Sequence, residues 1–242
     1  MYPRQQYFLH NHVGIMCLML LIGCADPEVY VQKTSTSEGG SGRYYMNREI
    51  ADVMSSEHGA LWLDRPGRNV EELPNRLFDV LELNPSAIVA DIGSGTGFFT
   101  FLLADIVSHG RVYSVEVQPS LVDTLSARSE RLGLRNVVPV LGSEVSPNLP
   151  SGKMDLVLIV ASYHEFTFPR EMIQSILESL KPGARLVVVE YRLEDDTIGV
   201  EAAHRMSEEQ IKREVESVGF KWRETRDVLP QQHVIIFNRP VD

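Results

Sequence analysis

One segment concentrates residues suited to holding a ligand: Val89-Ala90-Asp91-Ile92-Gly93-Ser94-Gly95-Thr96-Gly97-Phe98. An acid precedes three glycines spaced two apart. Gly93, Gly95 and Gly97 permit a tight turn and a close backbone approach that a Cβ would block. Ser94 and Thr96 place hydroxyls between them. If a helix follows, its first free N–H groups point at the same spot. A second acid, Glu116, comes about twenty residues after the loop. A carboxylate at that spacing accepts the two hydroxyl hydrogens of a ribose, so the pattern points to a nucleoside-containing cofactor. A third group, Tyr163-His164-Glu165, carries side chains suited to proton transfer. His164 is a candidate general base, because its ordinary pKa lies near neutrality. Tyr163 is expected to line the transfer pocket, and Glu165 to pair with His164 or with a substrate amine. Glu190, Tyr191 and His204 are further candidates for the same rim.

Alternating strands and helices must position these groups. Ala87 to Ile92 is a short apolar run, fit for a strand buried on both faces. The helix expected from Phe98 to Val107 follows it, then a strand from Val112 to Val117 and a helix from Pro119 to Leu132 closed by Gly133. Further strands are expected at Val137 to Leu141, Asp155 to Val160 and Arg185 to Tyr191, with a helix at Glu171 to Leu180. Ser207-x-x-Gln210 reads as a capping box opening a helix to Val218. Trp222 to Val228 and His233 to Phe237 read as an antiparallel pair. The pattern predicts an α/β fold: a doubly wound, mostly parallel, seven-stranded sheet with a C-terminal antiparallel hairpin and helices on both faces. The glycine loop then falls at the carboxyl ends of the strands, where open α/β sheets bind ligands.

The dinucleotide fingerprint wants a small residue where Phe98 stands. The spacing here is D-x-G-x-G-x-G, which resembles motif I of the class I S-adenosylmethionine-dependent methyltransferases. The resemblance continues through Glu116, Leu141-Gly142-Ser143, Asp155 to Val160, Ala161 to Phe166, Leu180-Lys-Pro-Gly to Glu190, and Glu209 to Phe220, covering about residues 70–242. Gly42 through Pro74 resembles the N-terminal extension of an uncharacterised bacterial branch. The resemblance implies S-adenosylmethionine as cofactor. It implies Asp91 at the cofactor's aminoacyl end, Glu116 on the ribose, and Ser143 near the adenine, where the family commonly has Asp. It implies methyl transfer. A nicotinamide-dependent oxidoreductase and a non-catalytic nucleoside-cofactor-binding domain of an exported lipoprotein are the alternative readings.

Other chemistries are excluded by what the motifs lack. Phe168 stands four after His164, so His164-Glu165 does not begin H-E-x-x-H, and no metal site is expected. No G-x-S-x-G elbow occurs. The Asn/Asp-Pro-Pro-aromatic run of nucleobase amino-methylating enzymes does not occur. Ala161-Ser162 replaces the carboxylate of magnesium-dependent catechol-type enzymes. A small-molecule acceptor is favoured by elimination.

The 242 residues carry 23 Lys+Arg against 33 Asp+Glu, a formal charge of −10. That balance argues against broad nucleic-acid binding. Hydrophobic residues make up 43%, enough for a globular core. Cys17 and Cys24, the two cysteines, exclude a disulfide framework. Residues 13–23 read VGIMCLMLLIG, too short for a span of roughly twenty residues. The run matches a signal h-region, and Leu21-Ile22-Gly23-Cys24 resembles a lipoprotein lipobox. Residues 1–23 are therefore expected to be a signal peptide, with lipidation at Cys24, a flexible tether over 24–46, an N-terminal helical extension over 47–83, and the methyltransferase domain over 84–242. The expected location is the cell envelope, lipid-anchored, with the cytoplasm as the alternative.

Overall fold

The structure, a computed structural model, describes residues 29–54 and 56–241. The expected signal segment and Cys24 lie outside the described residues. Three short strands come first: β1 (Tyr30–Gln32), β2 (Gly40–Tyr45) and β3 (Arg48–Ala51). They pair antiparallel in the order β1-β2-β3. This corrects the expectation of a tether reaching residue 46 and of a helical extension beginning at residue 47, where β3 stands instead. Tyr30, Tyr45 and Ile50 are buried together with Phe168 against them, and Arg43 stacks over the Tyr30 and Phe168 rings at 4.5 and 4.3 Å. Tyr30, Tyr45 and Ile50 stand one per strand and dock on a distant part of the chain, a pattern without local periodicity.

Helices α1 (Ser56–Leu63), α2 (Arg68–Glu72) and α3 (Pro74–Leu81) follow. Within the helical extension expected over 47–83, α2 and α3 are separated at Leu73, which has φ 44°. Pro74 clashes with an α-conformation at the residue before it, so the chain breaks there. Next come β4 (Ile88–Ile92), α4 (Phe98–Ile106), β5 (Arg111–Glu116), α5 (Pro119–Leu132), β6 (Val137–Leu141), β7 (Met154–Val160), α6 (Pro169–Ser179), β8 (Leu180–Tyr191), α7 (Glu208–Glu216), β9 (Lys221–Arg226) and β10 (Gln232–Asn238). A 3-10 turn at Tyr163–Glu165 follows β7.

The main sheet has seven strands in the order β6-β5-β4-β7-β8-β10-β9. β4 to β8 run parallel, and β10 lies antiparallel to both β8 and β9. The sheet, the terminal hairpin and the helices on both faces are as the sequence predicts. Alternation along the central strands explains the layering. Ile92, Val157, Ile159 and Val188 join a core with Ile173 and Ile176 of α6 and Ile211 and Val215 of α7. Val89, Leu156, Leu158 and Val187 join a second core with Leu77 of α3 and Leu103 of α4. Successive side chains of a strand point to opposite faces, so strands covered on both sides read as continuous apolar runs. Among the described residues no helix is long and apolar enough to cross a membrane.

The chain leaves β4 for β5 and β6 on one side, and β7 and β8 lie on the other. The carboxyl ends of β4 and β7 are therefore the topological switch point, where a crevice opens.

Candidate active site

A cavity of about 580 Å³ fills that crevice. Asp91, Gly93, Ser94 and Gly95 line it from the end of β4, Glu116 from β5, His164 and Glu165 from the turn after β7, and Tyr191 from β8. Thus most of the residues singled out in the sequence share one wall-to-wall space.

The glycine loop is folded onto β5. The N–H groups of Gly93 and Ser94 both donate to the Val115 carbonyl, at 2.9 and 3.1 Å, and Ser94 Oγ donates to the same oxygen at 3.2 Å. Gly93 has φ 69° and Gly95 φ 55°. A Cβ on Gly93 would lie 2.5 Å from Ser162 Oγ, and one on Gly95 would lie 2.7 Å from Leu63 Cδ1. Both positions have a left-handed backbone; a Cβ at Gly93 also meets Ser162 Cβ at 2.6 Å, whereas at Gly95 the end of the Leu63 side chain can yield.

Glu116 is nearly fully buried. Its Oε2 accepts from Gly95 N at 3.1 Å, and its Oε1 accepts from Val117 N at 2.7 Å and Gln118 N at 3.2 Å. Three backbone donors fix the carboxylate at the cavity wall, two on Oε1 and one on Oε2, and Oε2 keeps lone-pair capacity for a further donor. Asp91 is buried too, and Thr100 Oγ1 donates to its Oδ2 at 2.6 Å. Burial pushes the Asp91 carboxyl up to about 6, against the opposing Thr100 hydrogen bond.

Not every candidate reaches the cavity. The Thr96 hydroxyl donates to Asp64 Oδ1 at 2.7 Å, and Arg128 binds both Asp64 and the Thr96 carbonyl, so Thr96 ties the loop to the end of α1. Gly97, with φ 95°, caps the start of α4. Ser143 closes a local turn with Ser146 through its own hydroxyl, whereas its neighbour Glu144 lines the wall. Tyr163 is fully buried and its hydroxyl donates to Glu214 Oε2 at 2.8 Å, beneath the turn and outside the cavity lining. Burial raises its phenol well above the ordinary value. Tyr163 is therefore a support of the turn, where the sequence suggested a wall residue.

His164 is held from below. Its Nδ1 lies 2.8 Å from Glu190 Oε2, and Glu190 Oε1 also accepts from the backbone N–H of Tyr163 at 2.7 Å. A carboxylate only accepts, so Nδ1 carries the proton and Nε2 is left to face the cavity. Burial lowers the His164 pKa, but the Glu190 charge outweighs it and the net direction is upward. Glu165 has its pKa raised by burial, against the opposing charge of His164. His204 lies beside them with its ring 5.0 Å from that of His164, edge to face.

Several wall residues leave no trace in local spacing. Trp62 and Leu63 of α1 and Arg68 and Glu72 of α2 line the cavity, with Leu63 against Gly95. Arg68 Nε donates to Glu72 Oε1 at 2.8 Å, and its guanidinium stacks over Phe98 at 4.3 Å. That contact gives Phe98 a role in a place where the dinucleotide pattern wants a small residue. Burial pushes the Tyr191 hydroxyl up to about 12, with the Glu72 charge adding to it. These contacts join segments distant in the chain, and only the folded chain reveals them.

The strand order β6-β5-β4-β7-β8-β10-β9 with antiparallel β10, and a crevice at its switch point, is the architecture of a class I methyltransferase fold. Residues 83–231 match the family described as Methyltransferase domain, and the chain belongs to that family. Its cofactor is S-adenosylmethionine. The chain is 32% identical over 112 residues to a protein-L-isoaspartate O-methyltransferase of Pyrococcus horikoshii, covering 46% of this chain and 48% of that one. It is 29% identical over 164 residues to a protein of the same name from Methanothrix thermoacetophila, covering 60% and 75%. The chain spans about half the length of the first of these relatives. A SAM dependent methyltransferase from Aquifex aeolicus superposes with a TM-score of 0.72 at 23% identity, over 77% of this chain and 99% of that one. The [4+2]-cyclase SpnF superposes at 0.60 with 17% identity, over 69% and 81%. These superpositions speak for the fold.

The cradle fits the cofactor. Two glycine positions where a Cβ would collide, a buried acid at the end of β4 and a backbone-fixed carboxylate at the end of β5 match a nucleoside with a cationic tail.

Proposed function

We propose that this chain transfers a methyl group from S-adenosylmethionine to a neutral or cationic small-molecule acceptor. The observation that carries the proposal is a single cavity joining the glycine loop, Asp91 and Glu116 to His164 and Glu165. S-adenosylmethionine supplies, when bound, a methyl group already activated on a sulfonium. The protein's own task is then to hold, orient and exclude water. Glu116 takes the ribose hydroxyls, Gly93 and Gly95 let the backbone approach, and Asp91 faces the aminoacyl end. Leu63 packs against the loop at Gly95. Nε2 of His164, oriented by Glu190, receives the acceptor's proton.

The charge of the wall selects the acceptor. Glu72, Asp91, Glu116, Glu144, Glu165 and Glu201 line the cavity, while Arg68, its lining guanidinium among the described residues, is bound to Glu72. Such a wall repels a free carboxylate and favours a neutral or cationic group. The second reading is a protein carboxylate as acceptor, favoured by the named activity of the relatives. Calorimetric titration of the full chain with S-adenosylmethionine and S-adenosylhomocysteine, with NAD(H) as control, tests the first step. Binding of neither sulfur compound by folded protein overturns the proposal. A labelled-methyl screen including an isoaspartyl peptide then separates the two acceptor readings.

We also propose that Cys24 carries a lipid anchor in the cell envelope, on the strength of the Leu21-Ile22-Gly23-Cys24 run.

A further inference from the structure

His164 and Glu165 meet His204 at one end of the cavity, from two separate segments of the chain. Nε2 of His164 lies 3.8 Å from Glu165 Oε1, and Nδ1 of His204 lies 3.7 Å from the same oxygen. One donor atom from each residue can be chosen so that all lie within 4.8 Å of one another. Two imidazole nitrogens and one carboxylate oxygen, with further positions open to a cavity, are a donor set for a divalent transition-metal ion.

The outer hydrogen bonds fit the same arrangement. The proton of His164 sits on Nδ1 against Glu190, which directs the Nε2 lone pair toward Glu165. A carboxylate behind a ligating imidazole is the common outer support of such a site. Nδ1 of His204 is buried and has no hydrogen-bond partner in the structure, while its Nε2 lies 3.9 Å from Glu201 Oε2. Both imidazoles thus have a carboxylate near the outer nitrogen and an inner nitrogen near Glu165 Oε1. That oxygen is further fixed by Met54 N at 3.4 Å. Ligand atoms about 2.0–2.1 Å from a tetrahedral ion stand about 3.3 Å apart, so each histidine nitrogen must approach Glu165 Oε1 by about half an ångström. The two imidazoles, whose ligand atoms lie within 4.8 Å, must close on each other by at most about 1.5 Å. A divalent ion also offsets the carboxylates that crowd this wall.

We propose that His164 Nε2, Glu165 Oε1 and His204 Nδ1 bind one divalent transition-metal ion of the zinc class, with its open positions facing the cavity for the hydroxyl or thiol of the acceptor. The ion site stands on this geometry alone, whereas the acceptor's place on it rests on the methyl-transfer reading. In the metal-loaded protein Nε2 of His164 is a ligand and takes no proton. The ion instead lowers the pKa of the acceptor's hydroxyl or thiol, which binds as alkoxide or thiolate and releases its proton to water at the open side of the cavity.

The test uses the full chain, stripped with chelator and free of any affinity tag, titrated with Co²⁺ and then Zn²⁺. One equivalent of Co²⁺ is expected to give the visible bands of a low-coordinate site, and Zn²⁺ is expected to abolish them while Mg²⁺ does not. His164→Ala and His204→Ala are each expected to weaken Co²⁺ binding at least a hundredfold, and Glu190→Gln by tenfold to a hundredfold. S-adenosylmethionine affinity, measured on the same variants, reports that they are folded. Protein that binds S-adenosylmethionine but takes up no equivalent of Co²⁺ or Zn²⁺ overturns the metal site. So does Co²⁺ binding that persists in both histidine variants, which would place the ion elsewhere, as at His10 or His12. Metal binding through His164 and His204 without S-adenosylmethionine binding upholds the site and removes the methyl-transfer reading instead.

Discussion

Arg48 of β3 grips Glu214 of α7 with two nitrogens, Nε to Oε1 at 2.8 Å and Nη2 to Oε2 at 3.1 Å. Its third nitrogen, Nη1, donates to the His164 carbonyl at 3.1 Å. The small N-terminal sheet is thereby bolted to the turn that presents His164 and Glu165 to the cavity. Glu214 is fully buried and also accepts from Tyr163 and Gln210. Removing one partner of such a pair leaves an uncompensated charge in the interior. Arg48→Met is therefore expected to cost about 3–5 kcal/mol of stability. The variant should lose turnover while its affinity for S-adenosylmethionine, whose proposed contacts lie at the ends of β4 and β5, stays within a few-fold. Denaturant melts and calorimetry check both halves, and a melt unchanged from wild type would contradict the coupling.

Glu116→Ala removes the acceptor of three backbone N–H groups and the proposed ribose contact together. Lost charge-assisted hydrogen bonds of this kind are worth about 1.5–3 kcal/mol each in net terms. The S-adenosylmethionine Kd is expected to rise by at least tenfold, with S-adenosylhomocysteine affected equally, since the ribose is common to both. Titration of the two ligands against wild type and variant decides it. An unchanged Kd for either would place the nucleoside elsewhere.

Gly95→Ala places a Cβ 2.7 Å from Leu63 Cδ1 on a backbone with φ 55°. Leu63 is the end of a flexible side chain and can move, but the left-handed conformation cannot be relieved so cheaply. A stability loss of about 1–2 kcal/mol is expected, with weaker cofactor binding as Leu63 is pushed off the loop. A thermal melt and a titration of the variant measure the two effects.

Much of the main sheet was legible because it is local. Pro119 and Gly133 mark the two ends of α5, and the apolar runs of β4, β7 and β8 follow from burial on both faces. The glycine loop was legible because Gly93, Gly95 and Gly97 stand between a strand and a helix. Ser207 does cap α7, accepting from Gln210 N at 3.2 Å, yet the Gln210 side chain turns to Met46 and Glu214 and leaves the box half made. The N-terminal sheet was not legible. Tyr30, Tyr45 and Arg43 are held by Phe168, more than a hundred residues away, and no periodicity within residues 29–51 announces that. Tyr163 was misplaced for a related reason: a 3-10 turn sends adjacent side chains in different directions, so Tyr163 goes to Glu214 and His164 to the cavity.

The anchor proposed at Cys24 has a direct readout. Cells expressing the full chain are expected to incorporate a palmitate analogue into it, and Cys24→Ala is expected to abolish the label. Unlabelled wild-type protein would remove the anchor.

Asp91 should make cofactor binding sensitive to pH. Its carboxyl titrates near 6 in the folded protein, above its ordinary value of 3.8, because burial penalises the charge. A group whose pKa rises on folding contributes stability that is fully present below the unfolded value, and that contribution is lost as pH rises through the folded one. At this site the free protein therefore gains stability as pH falls from about 6 toward 3.8. A cationic ligand has the opposite preference, since it binds the ionised form. Affinity for S-adenosylmethionine is thus expected to fall below about pH 6, approaching tenfold per unit, while the protein itself does not unfold at this site. Asp91→Asn should bind weakly at all pH values and show neither trend. Titrations between pH 5 and pH 8, with melts alongside, separate a ligand-linked proton from acid unfolding, and a flat affinity across that range would take Asp91 out of the cofactor site.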